Sequence, residues 1–379
     1  MQLSSHTALK SGLVEYIDRM EFEERTPKGG LDALVQQMSS FEAPSSSQSK
    51  DRELVSALAS TSRILLGASE GAQDGAVASS SSSSSLDSQH ISILTLTRLL
   101  KSSGVVIRLI ESIGQLSVEV RKEVTNVFKA LMRRNPEGFV EYVALEQAHV
   151  IDALWGGCGQ GDGDAALDCG AMLRGLVRHA CLAQVVLQRP SFWSVLDTHI
   201  HQEGFERCAD AFTTLVEIIM GPHEALVAAF LNSNLDAFFT KYEGLLLSAN
   251  YMTRRRSLKL LGELMLRKSN VGVMRRFIEK KHFLKVIMLL LRDKSSSIQF
   301  EAFHVFKLFV ANPTKHADVE EVLMRNRDKL VSYLETFQEG TGDAQVAREK
   351  ELLLKVLSAL PQMNDPVPAP APAPAPAVP

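Results

Sequence analysis

The sequence predicts an all-α protein, a right-handed α-solenoid of armadillo/HEAT-like helical repeats, on three observations. First, five segments share a core of two mostly apolar residues, two polar or small ones and a closing apolar one. They are VFKAL at 127–131, MLRGL at 172–176, AFTTL at 211–215, LLGEL at 260–264 and VFKLF at 305–309. Their starts fall 45, 39, 49 and 45 residues apart, and a helical period of about 40–47 residues is that of armadillo and HEAT repeats. Second, apolar residues recur three and four apart within the segments, the amphipathic-helix signal. Third, no run alternates Val, Thr or aromatic residues with polar ones between hairpin turns, so strands are not predicted. One helix pair cannot bury its apolar face alone, whereas stacked pairs share a continuous core. The 45% hydrophobic content is enough to fill it.

Residues 1–90 form a divergent N-terminal part. Ser11–Met20 and Gly30–Met38 carry weak helical periodicity, and Glu53–Gly67 is a stronger helix marked by Leu54, Leu58 and Leu65. Residues 67–88 lose all periodicity and include seven consecutive serines, Ser79–Ser85. Such a tract cannot offset its ordering entropy by burial and is expected to be a disordered loop. The repeat domain is expected over residues 91–362. GGCGQGDG at 156–163 is read as a loop within it, and Ala317–Phe337 and Ala344–Leu360 as helices capping its C-terminal end. Residues 363–379 alternate Pro with Ala or Val and are read as a disordered, extended tail.

The stretch from Asn250 to Asn312 is the basic part of the chain. It carries fourteen Lys and Arg against four Asp and Glu, in a protein whose net charge is −3. Helices are expected at Thr253–Lys268, Val271–Lys280, Phe283–Leu291 and Ser296–Ala311. Their apolar marks are Leu258, Leu261, Leu264 and Met265, then Val286, Met288 and Leu289, then Ala302, Val305, Phe306 and Phe309. Tyr251, Arg255 and Lys259 stand at i, i+4 and i+8, so they form one ridge. A basic exposed face over an apolar packed one suits an acidic partner.

Several patterns suggest chemistry and fall short of it. GASEG at 67–71 matches the nucleophile-elbow spacing around Ser69, but that motif needs a strand before it and a helix after it. Here a helical segment precedes and serines follow. The glycine run at 156–163 lacks the Lys-Ser/Thr of a phosphate loop, and read as G-x-G-x-x-G its sixth position is Asp162 or Asp164. Asp162, Asp164 and Asp168 do not complete a calcium loop with its bidentate Glu. Cys158, Cys169, Cys181 and Cys208 contain no CxxC pair, so they read as free thiols rather than a zinc site. His199, His201 and His304 are scattered and read as packed or solvated residues. No catalytic residue, metal or cofactor is expected. The opening residues lack the apolar core of a secretory signal and VIMLLL at 286–291 is too short to span a bilayer, so a cytoplasmic protein without membrane contact is expected.

TRRRSLKLLGEL at 253–264 and LLRDKSSSIQFEAFHVFKLFVANP at 290–313 resemble the scaffold family known as calcium-binding protein 39, or mouse protein 25. The resemblance is dense from about Asp164 to Phe337, thinner from Ile91 to Glu146 and nearly absent before Ile91. It implies a non-catalytic, monomeric scaffold that binds and allosterically activates a sterile-20-type kinase or a STRAD-like pseudokinase. Over NYMTRRRSLK, it places Tyr251, Arg255 and Lys259 in a kinase-facing patch, with Phe205 as a further aromatic. Over KVIMLLLRDK, it assigns Lys285 and Met288 to a pocket for a Trp-Glu-Phe-like tail on the partner, with Arg325 as a basic neighbour. Lys268 and Val271 stand where that family usually has Arg and Phe. The alternative reading is an armadillo-type adaptor that binds acidic peptides or nucleic acid through the basic 250–312 face. Nucleic acid is disfavoured by the near-neutral chain and by the lack of interleaved surface aromatics.

Overall fold

The computed structural model describes residues 28–40, 48–66, 82–160, 163–337 and 344–361, which hold twenty α-helices, five short 3₁₀ turns and no strand. The chain divides into two compact units, residues 1–227 and 228–379. The first contains α1 (Lys28–Ser39), α2 (Gln48–Leu66), α3 (Ser82–Ser103), α4 (Val105–Glu111), α5 (Val118–Arg134), α6 (Phe139–Leu145), α7 (Val150–Gln160), α8 (Gly163–Leu176), α9 (Ala180–Gln188), α10 (Ser194–Asp197) and α11 (Phe205–Met220). The division point falls within α12 (Glu224–Ser233). The second unit continues with α13 (Leu235–Leu246), α14 (Tyr251–Leu266), α15 (Val271–Ile278), α16 (Lys281–Leu290), α17 (Ser296–Ala311), α18 (Ala317–Arg325), α19 (Arg327–Thr336) and α20 (Ala344–Ser358).

Within each unit, helices three apart in the chain pack on one another. In the first unit α2 packs on α5, α5 on α8 and α8 on α11; in the second α14 packs on α17 and α17 on α20. The five repeat segments seen in the sequence fall on α5, α8, α11, α14 and α17, so each marks the same structural rank. This is the stacking of an α-solenoid, in which each layer buries its neighbour's apolar stripe.

Local sequence explains the helix limits. On α5, Val120, Val124, Val127, Phe128 and Leu131 are buried at three- and four-residue spacing. The helix stops at Asn135, left-handed at φ 45°, whose N–H reaches the Leu131 carbonyl at 2.9 Å. Asn tolerates that conformation, and Pro136 prevents continuation. On α14, Asn250 caps the start, its side-chain oxygen accepting from the amides of Met252 at 2.9 Å and Thr253 at 3.2 Å. Its predicted apolar marks Leu258, Leu261, Leu264 and Met265 are all buried, as are Ala302, Val305, Phe306 and Phe309 on α17.

The core of the second unit is aromatic. Phe277 stacks on Phe283 with centroids 4.6 Å apart, and contacts Phe239 at 5.0 Å and Phe309 at 5.6 Å. The fully buried Tyr242 donates its hydroxyl to the Ser257 carbonyl at 2.7 Å, joining α13 to α14 without an orphaned phenol.

The structure corrects four sequence expectations. The serine loop was expected to reach residue 88, but α3 begins at Ser82: once a helix is nucleated downstream, each added residue gains a backbone hydrogen bond, and serine is no helix breaker. The glycine run at 156–163 is not a loop throughout, because α7 continues to Gln160. A Cβ on Gly157 would sit 2.4 Å from the Cys169 sulfur, so glycine here admits the close crossing of α7 and α8. That packing outweighs the roughly 1 kcal/mol that an interior glycine costs a helix. The segment 317–337 is two helices broken at Asn326, not one. Leu289 is not a core residue but 59% exposed. The expected helix at Ser11–Met20, Ser69 with its motif, residues 67–81 of the serine tract and the 363–379 tail lie outside the described residues.

Candidate functional site

Two surfaces of the second unit carry the predicted residues. The first is the ridge on α14. Tyr251 heads the helix and is 38% exposed, and Arg255 and Lys259 follow it, both exposed. Hydrogen bonds from Ser295 and Ser297 at the start of α17, and the nearby Arg255 charge, hold the Tyr251 phenol below its ordinary range. Lys259 lies 3.9 Å from Glu263 one turn on. Glu301 of α17 is pushed up by burial, against the opposing pull of Lys259 and Arg255. The ridge is therefore a mixed charged surface rather than a purely cationic one.

The neighbouring arginines have structural duties. Arg254 Nε lies 3.2 Å from Asp293, and its guanidinium donates to the Ser248 carbonyl at 2.6 Å. Arg256 is half-buried, and that burial lowers its pKa. Elsewhere in the basic stretch, Lys280 pairs with Asp236 at 3.3 Å, Lys281 with Asp318 at 3.1 Å and Lys307 with Glu349 at 2.5 Å. The sequence suggested one basic face over 250–312. In the structure, carboxylates from other helices take up several of those cations.

The second surface is a cavity of about 700 Å³ between α16, α18 and α19. Lys285, Met288 and Arg325, the three residues assigned to a tail pocket, all line it. Its apolar lining includes Leu289, Val322 and Leu330, and two further cations, Arg292 and Lys329, stand beside it. Sequence reasoning missed Leu289, Arg292 and Lys329. Leu289 had been read as core because its spacing fits the apolar stripe, and only the placement of α18 and α19 brings it to a cavity. Tyr333 completes the lining; its hydroxyl donates to the Leu291 carbonyl at 2.6 Å, and burial pushes its pKa up to about 12. That phenol stays neutral and props α19 against the end of α16. Arg325 also pairs with Glu321 one turn before it.

Phe205 belongs to the first unit. It opens α11, follows Gly204 at φ +101° and is 70% exposed, an unusual exposure for a large aromatic. Like Tyr251, it is the first residue of a helix of the same rank. Val271 and Lys268 are also exposed. His199 is a buried core residue stacked on Trp155 with centroids 5.7 Å apart, and burial lowers its pKa to about 4, so it is neutral near pH 7. Among the described residues no cluster of His, Cys, Asp and Glu is placed to hold a metal, and no single helix is long and apolar enough to cross a membrane.

A charged aromatic ridge beside a cation-rimmed apolar pocket, on stacked helical repeats, defines a class of repeat protein with binding surfaces. Residues 19–361 match the Mo25-like family, and the chain belongs to that family. The match reaches well before Ile91, so the N-terminal part, in which little resemblance was visible, is included. The human calcium-binding protein 39-like protein is 41% identical over 71% of this chain and 79% of its own. The Mo25-like protein of Schizosaccharomyces pombe is 39% identical over 68% and 78%. A designed armadillo repeat protein superposes with a TM-score of 0.40 at 13% identity, over 74% of this chain and 99% of its own. At that distance the likeness adds nothing to the stacking described above.

Proposed function

We propose that the chain is a non-catalytic, cytoplasmic scaffold that binds a sterile-20-type kinase or a related pseudokinase and favours its active-like conformation. The observation that carries this reading is the convergence of Lys285, Met288 and Arg325 on one cavity. Its chemistry suits an aromatic, acidic chain end. Met and Leu side chains adapt to an aromatic ring, while Lys and Arg pair with a Glu side chain or a terminal carboxylate. The α14 ridge is the second docking point, with Tyr251 as its aromatic and Arg255 as the cation able to form a bidentate pair.

A scaffold of this kind activates by binding one kinase conformation more tightly than the other. Tail and ridge contacts together raise the effective concentration of the second contact once the first is made. The test is purification of the chain from its native cell with mass spectrometry of what accompanies it, for the unaltered chain beside Arg255→Ala and Met288→Ala. A kinase or pseudokinase present with the first and depleted with both variants supports the reading. Equal recovery with all three removes it.

A further inference from the structure

In the first unit, α2, α5, α8 and α11 lie side by side and enclose a groove of about 700 Å³. Its floor is made of short side chains, among them Ala130, Ala171 and Gly175, and exposed Leu66 forms an apolar lip. A Cβ built on Gly175 would meet nothing within 4 Å, so this position opens onto free space. Lys129, Arg133 and Arg178 stand exposed along the groove and make no ion pair among the described residues. Arg174 also lines it but is committed to Asp210 at 2.8 Å and to the Thr214 hydroxyl at 2.6 Å. Glu217 is the single carboxylate on the lining among the described residues. Three unpaired cations thus face one carboxylate.

We propose that this groove docks an acidic peptide segment of a partner protein, one that carries a large apolar side chain. Charge complementarity selects the acidic occupant: like-charged segments are repelled, and each Glu or Asp meets an exposed cation that makes no ion pair among the described residues. The small-residue floor leaves room for one bulky apolar anchor, the arrangement that carries most of the affinity in compact interfaces. Among the described residues no Phe, Tyr or Trp lines the groove, so its lining offers little of the stacking that single-stranded nucleic acid requires. The groove uses none of the ridge or pocket residues of the second unit, and its role is independent of theirs.

The test is fluorescence anisotropy with the full chain and a short fluorescein-labelled peptide of alternating Glu and Leu, beside its Gln-for-Glu counterpart. The acidic peptide binds and the Gln peptide binds far more weakly. The double variant Arg133→Glu, Arg178→Glu weakens binding by at least about tenfold, since contacts to charged groups are lost and reversed. Gly175→Leu, which projects into the open groove, weakens it by about tenfold while leaving the melting temperature unchanged or raised. Arg255→Ala leaves peptide binding unaltered, which separates this proposal from the kinase reading. The proposal is overturned if the unaltered chain does not bind the acidic peptide, or if both groove variants bind it as well as the unaltered chain. It is equally overturned if the Gln peptide binds as tightly, or if an oligouridylate binds more tightly than the peptide and is lost with the same variants.

Discussion

The ridge of α14 and the cavity between α16, α18 and α19 belong to the same unit and both present Lys and Arg, yet they are physically different surfaces. On the ridge, Lys259 and Arg255 are exposed; Lys259 lies 3.9 Å from Glu263, and both cations act on Glu301. In the cavity, Lys285, Arg292 and Lys329 rim an apolar lining that can take a ring out of water. An exposed, already shared cation contributes little to affinity, because solvent and salt screen it. The cavity cations are exposed as well, but they border an apolar lining, so a ring seated there covers them from water and the charge beside it is worth more. For the proposed kinase scaffold, this difference assigns affinity to the cavity and orientation to the ridge.

That division can be broken or sharpened by substitution. The largest effect is expected where the two sites share a foundation. Phe309 of α17 packs on Phe277, which stacks on Phe283 of α16, so the aromatic core underlies both surfaces. Phe309→Ala is expected to cost about 3–5 kcal/mol of stability, read as a lowered denaturant midpoint, with both binding activities weakened together. Retention of full stability would show that the core does not couple them.

Met288→Glu places a carboxylate among the cavity cations and removes the adaptable thioether. Binding of a peptide ending in Trp-Glu-Phe should fall about a hundredfold by calorimetry, the loss of a buried anchor. Arg255→Ala should weaken binding of the proposed kinase partner by about tenfold, and it should also flatten the salt dependence of that binding, as the loss of a charged contact does. If Arg255→Ala costs more than Met288→Glu, the assignment of affinity to the cavity is reversed. Lys259→Ala should change binding by no more than about threefold, because an exposed pair with Glu263 is worth little.

The amino-acid sequence by itself determined the helical class, the repeat rank and most of the core. These are local or periodic properties: Leu258, Leu261 and Leu264 lie on one side of a helix whatever surrounds it, and the five repeat segments mark one rank because each layer repeats the same burial. The ridge was legible for the same reason, since i, i+4 and i+8 on one helix need no partner to be neighbours. The assignment of Lys285, Met288 and Arg325 to a single pocket came from the resemblance, and no spacing implied it.

Tertiary structure decided what depends on residues far apart in the chain. Pairing of Arg254 with Asp293, of Lys280 with Asp236 and of Lys281 with Asp318 dispersed what read as one basic face. Close crossing of α7 on α8 turned glycines that read as a loop into helix, because Cys169 leaves no room for a Cβ at Gly157. Placement of α18 and α19 made Leu289 a cavity wall rather than core. In each case the deciding energy, a paired charge or an excluded volume, exists only between elements. A periodic pattern along one chain does not contain it.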